Sequence, residues 1–170
     1  MEANVVKLYS LPYGRLRTWW IAALFVAGNI VLPQLCHLFP DGGARWLPIY
    51  FFTLVGTCKY GWRVGLLTAL LSPTVNSALF GMPAVSMLPV VVGKSLLLVL
   101  FAAAAVARFH RVSIGILAGV VVSYQLLGVC VEWAVTGDLV VAFRNLWIAL
   151  PGMALQLFGG WAVMRYLMRK

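Results

Sequence analysis

The stretch Leu88–Phe101, LPVVVGKSLLLVLF, determines the class of fold. Its Gly-Lys-Ser triplet (residues 93–95) matches the end of a phosphate-binding P-loop. A P-loop also needs a second glycine, five residues before Gly93, so that backbone N–H groups can wrap the phosphates. Leu88 occupies that position and Pro89 follows it, which removes one N–H donor. The aliphatic run after the triplet is typical of a helix in lipid. We therefore expect Lys94 to be a lone cation within a membrane helix.

The composition of the whole chain agrees with a lipid environment. Of the 170 residues, 63% are hydrophobic and 10% are charged, with a mean hydropathy of +0.97. A soluble domain of this size cannot bury so much apolar surface, whereas helices of about 20 residues span a bilayer. We expect one all-α domain, residues 1–170, with six transmembrane helices. The predicted spans are roughly 18–37, 46–59, 62–80, 84–107, 112–135 and 145–167.

The basic residues predict the orientation. With the N-terminus inside, ten of the thirteen lysines and arginines lie in inner segments, Arg45 and Arg144 lie outside, and Lys94 lies within a span. By the positive-inside rule both termini are predicted to be cytoplasmic, in a multi-pass protein of the cell membrane. This bias also accounts for the net charge of +9 without a nucleic-acid partner. The three cysteines lack metal-site spacing, and we expect neither a disulfide nor a cofactor.

With the helices oriented in this way, nearly all embedded polar side chains fall in the outer half of the bundle. Each is costly in lipid and calls for a function. Lys94 and Arg144 would meet an anionic group, Glu132 would meet a donor or a cation, and Tyr124 and Trp133 would flank a ring. The amides would supply hydrogen bonds. The candidate substrate-binding residues are Asn29, Gln34, His37, Asn76, Lys94, Tyr124, Gln125, Glu132, Trp133, Arg144 and Gln156.

Structural interpretations of the same residues remain open. Lys94 and Glu132 can pair with each other to offset the cost of burying both charges, alone or together with ligand contact. Each amide can equally form an interhelical hydrogen bond. His37, beside Cys36, forms a weak metal motif and otherwise is an interfacial histidine.

Sequence motifs for chemistry are missing. The chain has no metalloprotease or nucleophile-elbow motif, no acidic ladder for ion coupling and no P-loop. We therefore do not expect an enzyme, and a binding pocket without an energy source implies that a partner supplies the energy.

The chain resembles the S component of energy-coupling factor (ECF) transporters, the vitamin-capturing membrane subunit. The resemblance is carried by NIVLPQLCHLFP (29–40), WLPIYFFTLVGTCKYGWRVGLLTALLSPTVNSALFGMP (46–83) and LPGMALQLFGG (150–160). It implies capture of a small water-soluble nutrient from outside and docking on a transmembrane coupling subunit with two ATP-binding subunits. In that family an A-x-x-x-A pattern on the first helix contacts the coupling subunit, and Ala23 and Ala27 match it.

Two other functions remain as alternatives. A non-transporting scaffold or assembly subunit would use its polar groups only to bind helices together. An autonomous small carrier would transport without any ATPase.

Overall fold

The computed structural model describes residues 11–36, 38 and 42–168, and within them the chain is all-α, as expected. The helices are α1 (Leu16–Cys36), α2 (Gly42–Trp46), α3 (Pro48–Tyr60), α4 (Trp62–Phe80), α5 (Leu88–Phe109), α6 (Ile114–Thr136), α7 (Leu139–Ile148), α8 (Leu150–Ala154), a five-residue π-helical turn (Leu155–Gly159), here called the π segment, and α9 (Gly160–Met168).

Proline, glycine and capping side chains define these helices. Proline lies in the first turn of α3, α5 and α8, where its missing N–H is tolerated. The Ser113 hydroxyl accepts from the backbone N–H of Ile116 at the start of α6, and the Asp138 carboxylate accepts from that of Val141 at the start of α7. Gly137 ends α6 in the left-handed conformation that only glycine adopts without strain.

Three helices, α1, α5 and α6, are long and apolar enough to cross a membrane. The segment α7 to α9 becomes a fourth if its two parts, bent by 50°, are counted as one span. By contrast, α3 has 13 residues and rises about 20 Å, less than the hydrocarbon thickness. The described residues therefore form a helical protein with three or four potential membrane spans.

The final predicted span, 145–167, differs most from the structure. The helix begins earlier, at Leu139, breaks at Ala149 next to Pro151, and then continues through the π segment. The break has a physical cause, because proline cannot continue the backbone hydrogen-bond ladder. Helix α2 was also not predicted from the sequence.

Helix α3 lies at the centre of the bundle. Ten of its thirteen residues are buried, and it packs against α1, α4, α5 and α9. Its Leu54 and Val55 are fully buried and belong to the same core cluster as Leu98 of α5 and Tyr124 of α6. This packing fixes α5 and α6 around the N-terminal end of α3, where the candidate site lies.

Candidate substrate cavity

A cavity of about 300 Å³ lies at one end of the bundle. It is bounded by the C-terminal parts of α1, α4 and α6, the N-terminal parts of α3 and α5, the 81–87 loop and α7. Most of its wall is apolar. The polar side chains on the wall are Tyr50, Asn76, Lys94, Gln125, Glu132 and Asn145. The polar residues of separate helices thus converge at one end, as the sequence predicted.

The charged centre of the cavity is an ion pair between α5 and α6. Lys94 Nζ lies 2.5 Å from Glu132 Oε2, and the two side chains are 11% and 2% exposed. The Asn145 amide of α7 donates to the other carboxylate oxygen, Oε1. Both oxygens of this buried carboxylate are therefore held by the protein, which offsets the cost of removing the charge from water.

Gly128 makes the ion pair possible. A Cβ atom at this position would lie 2.9 Å from Lys94 Cγ and 3.0 Å from Cε, closer than carbon atoms pack. The aliphatic stem of Lys94 therefore lies on the bare surface of α6, one helical turn before Glu132. The missing side chain at position 128 thus provides space for the lysine stem.

Amides on the α1 and α4 side form a second polar group. Gln34 Nε2 donates to Asn76 Oδ1 over 3.2 Å, and Asn76 is on the cavity wall. Asn29 lies deeper and is fully buried, with its Nδ2 donating to Thr53 Oγ1 and Ser72 Oγ and its Oδ1 accepting from the backbone of α3. Asn29 therefore ties α1 to α3 and α4 and is not on the cavity wall.

A third polar group lies behind the wall formed by α6. The Tyr124 hydroxyl donates to Gln156 Oε1 over 2.8 Å, and Gln156 belongs to the π segment. The side-chain nitrogens of Gln125 and Gln156 are both buried without a hydrogen-bond partner. Gln125 lines the cavity whereas Gln156 does not. Because its side-chain nitrogen is inaccessible, Gln125 meets the cavity through its other atoms.

Six of the predicted site residues are not on the cavity wall: Asn29, Gln34, Tyr124, Trp133, Arg144 and Gln156. Trp133 is half-exposed and Arg144 is exposed, and neither is on the cavity wall. Each is the chain neighbour of a residue that does line it, Glu132 and Asn145. His37 lies outside the described residues. The sequence interpretation did not include Tyr50 or Asn145. For Asn145 a signal was available, because Asp138 caps the start of α7 and thereby places residue 145 within a helix.

The two alanines proposed to bind a partner, Ala23 and Ala27, are exposed on α1. Large apolar side chains flank them on the same helix, including Trp20 and Leu24, each 70% exposed. This face of α1 is thus exposed with respect to the residues that the structure describes.

The lining of the cavity, in the part of the chain that the structure describes, lacks the side chains of a metal site. Among the described residues, no group of three or more histidine, cysteine, aspartate or glutamate side chains lies close enough to hold a metal ion. The arrangement can bind a small molecule between an ion pair, amides and an apolar wall. No family model, no curated protein and no solved structure matches the chain.

Proposed function

We propose that this chain is the substrate-binding subunit of an ECF-type importer, which captures a small water-soluble molecule such as a vitamin or its precursor. The observation that carries the proposal is the cavity of about 300 Å³ with the Lys94–Glu132 pair on its wall. A scaffold subunit needs buried polar contacts between helices, but it has no need of an open volume of this size beside them. Ligand pockets start at about this volume.

The energy for transport would come from partners. The sequence carries no ATP-binding motif. The resemblance to S components implies a coupling subunit and two ATP-binding subunits as partners. The exposed face of α1 around Ala23 and Ala27 is the proposed contact with the coupling subunit. In this proposal the chain itself performs no catalysis.

The proposed topology has six crossings with both termini in the cytoplasm. Helices α3 and α4, joined by Gly61, would form two crossings, of which α3 is short and lies mainly against protein, and α7 to α9 would form the sixth. The cavity would then open to the outside. This orientation puts the 81–87 loop outside and the α5–α6 connection inside.

Cysteine labelling in intact cells tests the topology. In a cysteine-free background, Val85→Cys should react with a membrane-impermeant maleimide added outside, since Val85 is 79% exposed. Arg111→Cys, in the exposed α5–α6 connection, should react only after the cells are opened. The reverse pattern would contradict the proposed orientation.

Native mass spectrometry of gently purified protein tests the binding function. A co-purified small molecule should be released on activation in the gas phase. Val91→Trp, which fills the cavity, should abolish this adduct. Val122→Trp, on an exposed part of α6, is the matched control and should retain it. Absence of any adduct from the unaltered protein, or equal loss in both variants, would count against a substrate-binding subunit.

Uptake by vesicles separates the importer from the autonomous carrier. Vesicles that contain this chain alone should bind substrate without accumulating it. Accumulation should require the coupling and ATP-binding subunits together with ATP. Uptake by the chain alone would favour the autonomous carrier.

A further inference from the structure

The charges on the cavity wall cancel. Among the described residues that line the cavity, Lys94 and Glu132 are the charged ones, and they are paired with each other. Both Glu132 oxygens already accept hydrogen bonds, from Lys94 and Asn145. An anionic ligand would have to lie near this buried carboxylate, and a cationic ligand would have to displace one of its two donors. Both arrangements are unfavourable where the dielectric constant is low.

Two side chains on the wall keep hydrogen-bond donors that the protein does not use. The Lys94 ammonium carries three N–H groups, of which one donates to Glu132. Asn76 uses its Oδ1 to accept from Gln34, which leaves its amide nitrogen as a donor. A complementary ligand therefore presents an acceptor, such as a carbonyl oxygen, to these donors.

The size and the apolar part of the wall limit the rest of the ligand. The apolar part of the wall includes Pro48, Ile49, Val90 and Val91. A water molecule occupies about 30 Å³ in the liquid, so a cavity of about 300 Å³ has room for about ten of them. That corresponds to one ring with a short substituent.

We infer that the cavity takes an uncharged, single-ring molecule whose carbonyl oxygen accepts from Lys94, with Asn76 as a further donor. This inference rests on the proposed function and names its substrate class. It replaces the expectation, drawn from the sequence, that Lys94 meets an anionic group. In the structure Glu132 already neutralises the lysine, so the lysine acts on the ligand as a hydrogen-bond donor and not as an uncompensated charge.

Three probes of nearly the same shape test the charge of the ligand. Benzamide is uncharged, benzoate is an anion and benzamidinium is a cation, and each is one ring with a planar substituent. Their affinities for the purified protein are measured at millimolar concentrations by ligand-observed NMR. Benzamide should bind the unaltered protein at least about tenfold more tightly than either charged probe.

Variants of the ion pair should change this order. Glu132→Gln leaves the lysine unpaired and should make benzoate the preferred probe. Lys94→Met leaves the carboxylate unpaired and should make benzamidinium the preferred probe. The double variant has an uncharged wall and should again prefer benzamide, although more weakly because the lysine donor is gone. If a single variant does not fold, the unaltered protein and the double variant still provide the comparison.

The outcomes separate the substrate class from the proposed function. A preference of the unaltered protein for benzoate or benzamidinium overturns the inference that the substrate is uncharged, but it does not contradict the proposed function as a substrate-binding subunit. The same holds if no probe binds and the molecule released in native mass spectrometry is charged, whereas an uncharged single-ring molecule there supports the class. If no probe binds and no small molecule is released, both the class and the proposed function are overturned.

Discussion

The energetic coupling between Lys94 and Glu132 can be measured with a double-mutant cycle. Lys94→Met leaves Glu132, which is 2% exposed, with Asn145 as its remaining donor. Removal of one partner of a buried pair costs about 3–5 kcal/mol, and the Asn145 bond should keep this loss near the lower value. Glu132→Gln leaves the 11% exposed ammonium at the cavity, where water reaches it, and should cost about 2 kcal/mol.

The double variant contains no unpaired charge, so it should be about as stable as Glu132→Gln alone. The cycle then departs from additivity by about 3 kcal/mol, at the upper end of couplings between contacting residues. The measurement is the free energy of unfolding in mixed micelles titrated with a denaturing detergent. The matched control pairs Glu132→Gln with Lys59→Met, a lysine at the opposite end of α3, and these two effects should add within about 0.5 kcal/mol. Additivity for Lys94 and Glu132 as well would refute the buried pair as a coupled unit.

Three further predictions concern other parts of the chain. Ala23→Leu with Ala27→Leu should abolish ATP-dependent uptake while substrate affinity stays unchanged, because both side chains are exposed; unchanged transport would remove this face from the partner interface. Gly152→Ala should destabilise the fold by about 1–3 kcal/mol, since its Cβ would lie 2.6 Å from a backbone carbon of α2. Gly119→Ala, with open space around it, is the control and should cost nothing in the same unfolding assay. Asn29→Ala should lower stability by about 1–3 kcal/mol and leave ligand affinity unaltered, and an affinity loss without a stability loss would return Asn29 to the binding site.

The positions of the polar residues along α5 and α6 could be predicted from the sequence, but their direction around the helix axis could not. Hydrophobic runs and prolines locate the helix ends, which made a Lys94–Glu132 pair one of the two open interpretations, and the structure contains this pair. Adjacent residues on a helix point about 100° apart. Trp133 and Arg144 therefore adjoin Glu132 and Asn145 along their helices but are not on the cavity wall, because packing of α6 and α7 fixes their rotation.

The start of α7 was missed for a related reason. The polar residues Arg144 and Asn145 are typical of a connection between spans. The sequence signal for a helix that begins before them is the capping residue Asp138. Tyr50 was missed because nothing in its local sequence distinguishes it from the other aromatic residues of α3. Its place on the wall depends on how α3 packs against α5 and on the ring contact between Tyr50 and Tyr124 of α6, which are tertiary properties.

The contact between Gly128 and the stem of Lys94 has a consequence for evolution. Because the space above position 128 is filled by the lysine stem, a β-carbon there requires that stem to move or to be shorter. In homologous chains these two positions should therefore change together, even though one belongs to α5 and the other to α6. A lineage that replaces both residues leaves Glu132 without its charged partner. Loss of all three residues in one branch, with the rest of the bundle unchanged, would mark a cavity whose wall no longer carries an ion pair.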